Sequence, residues 1–289
     1  MRPTRSLKRG TYNAMKRSAK VLAFVMLAAA LLMSTGCQKL RARDQLNKGV
    51  QAYKNAKYEE AIEKFKQAVA LDPTLINAQL YLATAYAQQY IPGAETPENV
   101  RMGEQAINEY KNVLQKDPKN INSIKGIAYL YLQMKKFDDA KDYYRKASEA
   151  DPNDPEAYYS IAVIDWTQTY QPRMEARNKF GMKPEETFKG KDGLKVCEEL
   201  KEKNSAKVEE GMQALEKALQ LRTDYDDAMA YYNLLYRERA DLQCGDAAAR
   251  EADLKKADEW VDKTLAVKKA KAEKAANQAG GITLDTPKQ

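Results

Sequence analysis

Histidine is absent from all 289 residues. Its absence excludes Ser-His-Asp and Cys-His nucleophile arrangements, His-ligated zinc, and haem attachment through Cys-x-x-Cys-His. Gly-rich phosphate loops, the G-x-S-x-G nucleophile elbow and Asp-rich calcium loops are missing as well. Carboxylates and lysines abound, since 31% of the residues are charged, yet no spacing among them marks a catalytic pair. A non-enzymatic protein with no catalytic residue, no metal site and no cofactor is expected.

Cysteine is scarce, with three residues, and so are long apolar runs. The chain holds 48 bases against 41 acids, a formal charge of +7. Arg2, Arg5, Lys8, Arg9, Lys16, Arg17 and Lys20 account for the whole excess, because residues 1–36 contain no acid. The rest is formally neutral, so a nucleic-acid partner is not expected. After these bases comes an uncharged apolar stretch of 13 residues, 21–33. A membrane span needs about 20 such residues. The stretch instead has the proportions of a secretory signal peptide, of ordinary length if translation starts at Met15.

Thr35 and Gly36, followed by Cys37, resemble the lipobox of bacterial lipoproteins. The resemblance implies a signal peptide over residues 1–36, diacylglycerol on Cys37, and a lipid-anchored linker over 37–41. Ser34 departs from the leucine usual at that place, which keeps plain secretion and an uncleaved anchor open as alternatives. Gln38, rather than Asp, after the cysteine favours the outer over the inner membrane and a periplasm-facing protein.

Self-similarity organises the remainder. Residues 121–154 form a 34-residue unit marked by Ala128, Tyr131, Phe137, Ala140, Tyr144, Ala147 and Pro152. Its apolar residues recur three and four apart in two stretches separated by Lys135 and Lys136, the pattern of two amphipathic helices and a turn. Tyr58, Ala61, Phe65, Ala68 and Pro73 mark another copy; Leu82, Ala83, Tyr86, Ala106, Tyr110 and Pro118 mark a third. Gly211 and Ala257 occupy the slot of Ala61, Ala106 and Ala140 in two degenerate copies.

This spacing resembles the tetratricopeptide repeat. The resemblance implies an all-α fold, an α-α superhelix of about five helical hairpins over 42–267, with repeats near 42–75, 76–120, 121–154, 155–225 and 226–270. Repeats two, four and five carry insertions between their two helices, along one edge of the array. The second is expected as a loop around Pro92, Gly93 and Pro97. The fourth, about residues 167–208, reads as a surface excursion with a short helix at 172–178 and breaks at Gly181, Gly190 and Gly193. Cys197 and Cys244 fall in the fourth and fifth insertions and are expected to pair, since an exported chain tolerates disulfides. Residues 268–289 read as a fraying helix and a disordered tail.

By the same resemblance the first helix of each repeat lines a groove, here through Tyr53, Leu80, Lys125, Tyr129, Tyr159 and Trp166. Lys125 alone has the chemistry of a carboxylate clamp, so the groove is expected to take apolar peptide anchors instead; tyrosine and tryptophan at helical spacing also suit core packing. Asp165 stands where the repeat usually has tyrosine. It must be paired, reach solvent, or mark distorted packing. The expected function is an exported, lipid-anchored adaptor for protein or peptide segments of the cell envelope. The alternative is a periplasmic ligand-binding or delivery component with a pocket under the fourth insertion.

Overall fold

The computed structural model describes residues 37–183 and 186–279; the signal-peptide segment 1–36, the start at Met15 and tail residues 280–289 lie outside them. The described residues form helices and no strand, so the all-α expectation holds. Helix α1 covers 37–54 and takes in the expected linker 37–41. It is followed by α2 (Tyr58–Leu71), α3 (Ile76–Gln89), α4 (Pro97–Lys116), α5 (Ile121–Gln133), α6 (Phe137–Ala150), α7 (Pro155–Lys179), α8 (Gly190–Leu221), α9 (Asp226–Asp241) and α10 (Ala247–Ala279).

Starts and stops follow local chemistry. Thr96, Asn120 and Asp154 accept hydrogen bonds from Asn99, Ser123 and Glu156 backbone N–H groups, and Pro97 and Pro155 occupy first-turn positions where a missing N–H costs nothing. Lys135 closes α5 with φ of 57°, a left-handed conformation that carries strain for a side chain with Cβ. Relief of about 1–2 kcal/mol opposes a loss of about 0.5–1 kcal/mol from the freer unfolded chain. We therefore expect Lys135→Gly to raise stability slightly, by about 0.5 kcal/mol, seen as a higher urea midpoint.

The chain divides into two compact units, Met1–Pro118 and Lys119–Gln289. In the first, α2 packs on α3 and α3 on α4. Gly49 of α1 lies so close to the fully buried Phe65 that a Cβ there would come within 2.5 Å of the ring. In the second unit each helix packs on the next from α5 to α10, and α7 also lies against α9. The anchor residues Ala61, Ala106, Ala140 and Ala257 have no exposed surface, which is what close approach of paired helices requires. Gly211 replaces alanine in that slot because a Cβ would stand 2.9 Å from Leu235 and 3.2 Å from Asp165.

The second insertion is a loop, as expected, whereas the fourth differs from expectation in form. The second is a short turn at 90–96, fastened by the buried Asn99, whose side chain accepts from Ile91 N and donates to the Ile91 and Ala94 carbonyls. The fourth is a correction: the expected excursion with a separate short helix is extra helix on both arms. Helix α7 runs 25 residues straight through Pro172, and α8 runs 32, with only 180–189 between them. Proline was a misleading stop signal there, because a helix survives an interior proline when tertiary bonds hold the turn that follows it. Arg173 and Arg177 supply those bonds. Helix α10 continues past residue 267 to Ala279.

Candidate functional site

In the first unit Tyr53 is half-buried, its ring edge-on to Tyr58 at 5.3 Å, and Leu80 is half-buried on α3. The second unit holds the other four expected residues. Tyr129 on α5 is 52% exposed. Lys125, one turn before it, donates to Asp154 Oδ2 at 2.8 Å and Glu156 Oε2 at 2.9 Å. Burial pulls its pKa down, but these two carboxylates outweigh that and raise it, so the lysine stays charged and engaged. A lysine held by two resident acids is poorly placed to clamp a foreign carboxylate.

Tyr159 and Trp166 belong to a row of rings. Tyr225 and Tyr159 lie 5.0 Å apart, Tyr159 and Tyr231 5.6 Å, Tyr231 and Trp166 5.3 Å, and Trp166 and Tyr170 4.8 Å. Helical spacing puts residues 159, 166 and 170 on one face of α7, and the packing of α7 on α9 brings Tyr231 between them. Most of these rings are half-buried, so the row is both packing and surface. Burial raises the phenol pKa of Tyr159, Tyr225 and Tyr231, which keeps them neutral. The sequence reading missed Tyr170, Tyr225 and Tyr231. Tyr170 was legible in principle, four residues beyond Trp166, had α7 been carried past residue 167.

Asp165 proves to be paired. It has no exposed surface and accepts from Lys141 Nζ at 2.6 Å, while Lys141 also donates to Glu210, which Arg145 binds from the other side. Burial pushes the Asp165 carboxyl up to about 6 against the pull of Lys141. A second ionic group ties the long arms of the fourth repeat to the fifth. Asp241 Oδ2 accepts from Arg173 Nη1 at 3.0 Å and Arg177 Nη1 at 2.8 Å. Arg177 also donates to the Lys183 and Glu186 carbonyls and so seats the connecting segment. Arg173 Nε stands 3.0 Å from Glu238 Oε1 without an aligned hydrogen bond.

Burial drives the Glu238 carboxyl up to about 7, with Arg173 and Arg177 opposing and Asp241 reinforcing the rise. A folded-state pKa above the unfolded one means the folded chain holds the proton more tightly. Its contribution is complete below the unfolded pKa and disappears as pH rises through about 7. We expect this unit to lose on the order of 2 kcal/mol between pH 5 and 8 from Glu238. Glu238→Gln should flatten that slope in urea titrations across the pH range.

Beside this group Cys197 and Cys244 are joined, with sulfurs 2.05 Å and Cα atoms 5.6 Å apart. They stand in the wall of an open cavity of about 530 Å³, lined also by Phe188, Leu194, Arg250 and Leu254. Cys37, the expected lipid attachment point, is an exposed free thiol at the described start of α1. Among the described residues no acid or cysteine cluster could hold a metal ion, and no helix is long and apolar enough to cross a membrane.

Two family profiles match the chain, one described as TPR repeat over residues 53–89 and one as tetratricopeptide repeat over 102–164. No curated protein matches it significantly. Among solved structures, a crystal structure of MamA protein is similar with a TM-score of 0.53 at 13% identity, covering 86% of this chain and 98% of that one. MamA from Desulfovibrio magneticus RS-1, residue 41 to the end, is similar with a TM-score of 0.53 at 16% identity, covering 80% and 96%. At such identities the likeness concerns the fold. Together with the buried anchor alanines and the succession of packed hairpins within each unit, these matches show that the chain carries tetratricopeptide repeats, which support a scaffold for protein–protein interaction.

Proposed function

We propose that this scaffold is exported, anchored to a bacterial membrane by lipid on Cys37, and holds envelope proteins together by capturing their apolar segments. The role is non-enzymatic. The observation that carries the reading is the bond between Cys197 and Cys244, because such bonds persist in oxidising compartments and are rare in the cytosol. The basic and apolar N-terminal segment and the small residues before Cys37 agree with it. Capture would use the exposed Tyr129 and the ring row on α7 and α9, an apolar surface with few free charges, since Lys125 is already engaged.

Fatty-acid labelling of the wild type and Cys37→Ser tests the anchor. We expect label and membrane retention to vanish in the variant, and equal labelling of both would overturn the lipid assignment. A photo-crosslinker at position 129 in living cells should then give defined protein adducts. Trp166→Ala should weaken those adducts while helicity, followed by circular dichroism, stays intact; lost helicity would assign Trp166 to the core instead. The cavity of about 530 Å³ at the fourth insertion supports a second reading, carriage of a small ligand. Native mass spectrometry separates the two: a bound small molecule without protein partners favours carriage.

A further inference from the structure

We propose that the Cys197–Cys244 bridge is a thiol-exchange site at which a small thiol, entering through the adjoining cavity, attacks Cys244. The inference rests on the bridge and the cavity and is independent of the lipid anchor and the ring row. The bridge packs against core side chains on one side and on the other forms part of the wall of an open cavity of about 530 Å³. Its two cysteines differ sharply. Cys197, on α8, is 2% exposed. Cys244 is partly exposed on the short α9–α10 turn, and Gly245 beside it takes a φ of 81° with Leu194 as its nearest neighbour, 3.8 Å from where a Cβ would stand. An incoming thiolate therefore meets the Cys244 side first, with the buried sulfur as leaving group.

The leaving side is prepared for the reduced state. Cys197 Sγ lies 3.3 Å from the Asp241 carbonyl oxygen, an acceptor for its S–H once the bridge opens. The same two repeats are also joined by ionic bonds beside the bridge. Arg177 binds both Asp241 and the carbonyls of Lys183 and Glu186, so the segment before α8 and the end of α9 stay joined when the covalent bond is gone. Exchange can thus proceed on the folded protein and reverse.

The step balances with a thiol as the only co-reactant. The thiolate RS⁻ forms an S–S bond to Cys244 Sγ, the Cys244–Cys197 bond breaks, and its electron pair leaves on Cys197 Sγ, which takes the proton that RSH released. A second thiolate attacks the RS sulfur of the mixed disulfide, whose bond to Cys244 Sγ breaks, releasing RSSR and leaving Cys244 as the thiol once it takes the second proton. The protein disulfide is reduced by two electrons and two thiols are oxidised to one disulfide.

The test uses full-length oxidised protein carrying Cys37→Ser, which removes the exposed free thiol. Incubation with glutathione under native conditions, acid quenching and peptide mapping should find the glutathione adduct on the Cys244 peptide with Cys197 as a free thiol. An adduct on Cys197 overturns the assignment. The exchange rate should be unchanged by low urea, because the native state is the one attacked. A rate that climbs with urea in step with unfolding overturns it independently. Leu194→Trp, which narrows the cavity, should slow exchange about tenfold without moving the urea midpoint, since the approach of the thiol governs the rate. Unaltered exchange in that variant would refute entry through the cavity.

Discussion

Asp241→Ala is expected to destabilise the second unit by about 3–5 kcal/mol, the cost of leaving buried cations without their acid. Asp241 is 7% exposed and is the carboxylate shared by Arg173 and Arg177, with Arg250 a further 3.8 Å from its other oxygen. Removing it leaves the Arg177 guanidinium, 3% exposed, with no directly bonded carboxylate, held by the Lys183 and Glu186 carbonyls and by the field of nearby Glu238. Both tryptophans of the chain, Trp166 and Trp260, lie in this unit, so their fluorescence in a urea titration reports its unfolding directly. Asp224→Ala is the control. Its carboxylate is exposed and meets Lys271 only at 3.9 Å, so a change within about 0.5 kcal/mol is expected. If the two variants lose equal stability, the buried group is not the tie described above. The double variant Arg177→Met, Asp241→Leu should recover much of the loss, because the penalty lies in the unpaired charge rather than in the missing contact.

Removing the bridge is the second large effect. The sequence separation between Cys197 and Cys244 is 47 residues, and closing a loop of that length restricts the unfolded chain by about 4 kcal/mol at most. Cys197→Ser with Cys244→Ser should therefore lower stability by up to that amount while keeping the helical signal of the folded state. The urea dependence should steepen as well, since an unfolded chain freed of its cross-link exposes more surface. A double variant as stable as the wild type would mean that the Arg177 and Asp241 pairs alone determine how the fourth and fifth repeats are joined. Asp241→Ala in the serine background should then be far more damaging than in the bridged protein, because the two ties join the same pair of repeats and their losses cannot be additive.

How much of this was legible beforehand varies with the range of the interaction. The hairpins of the third repeat were readable almost residue by residue, since amphipathic period, capping Asn120 and Asp154, and the anchor Ala140 are all local or separated by a fixed offset. The fourth repeat was not. Pro172 and the glycines at 181, 190 and 193 are local stop signals, and the bonds that hold the helix beyond Pro172 come from Asp241 at the end of α9, more than 60 residues away. Of the six expected groove residues, all lie on first helices of their repeats. Sequence could not tell that Lys125 is occupied by Asp154 and Glu156, because pairing depends on how α7 sits against α5's repeat.

The amino-acid sequence by itself determined the helical class, the repeat, the anchor positions and the exclusion of histidine chemistry, because each follows from side-chain identity and spacing along one chain. Tertiary structure alone decided that the fourth insertion is lengthened helix, that Asp165 is neutralised by Lys141, that Gly211 lies against Leu235 and Asp165, and that rings from α7 and α9 form one row. Those outcomes depend on burial and on groups brought together from distant positions. The free energy of a buried charge or a close contact is set by its surroundings, and the surroundings exist only once the hairpins have stacked.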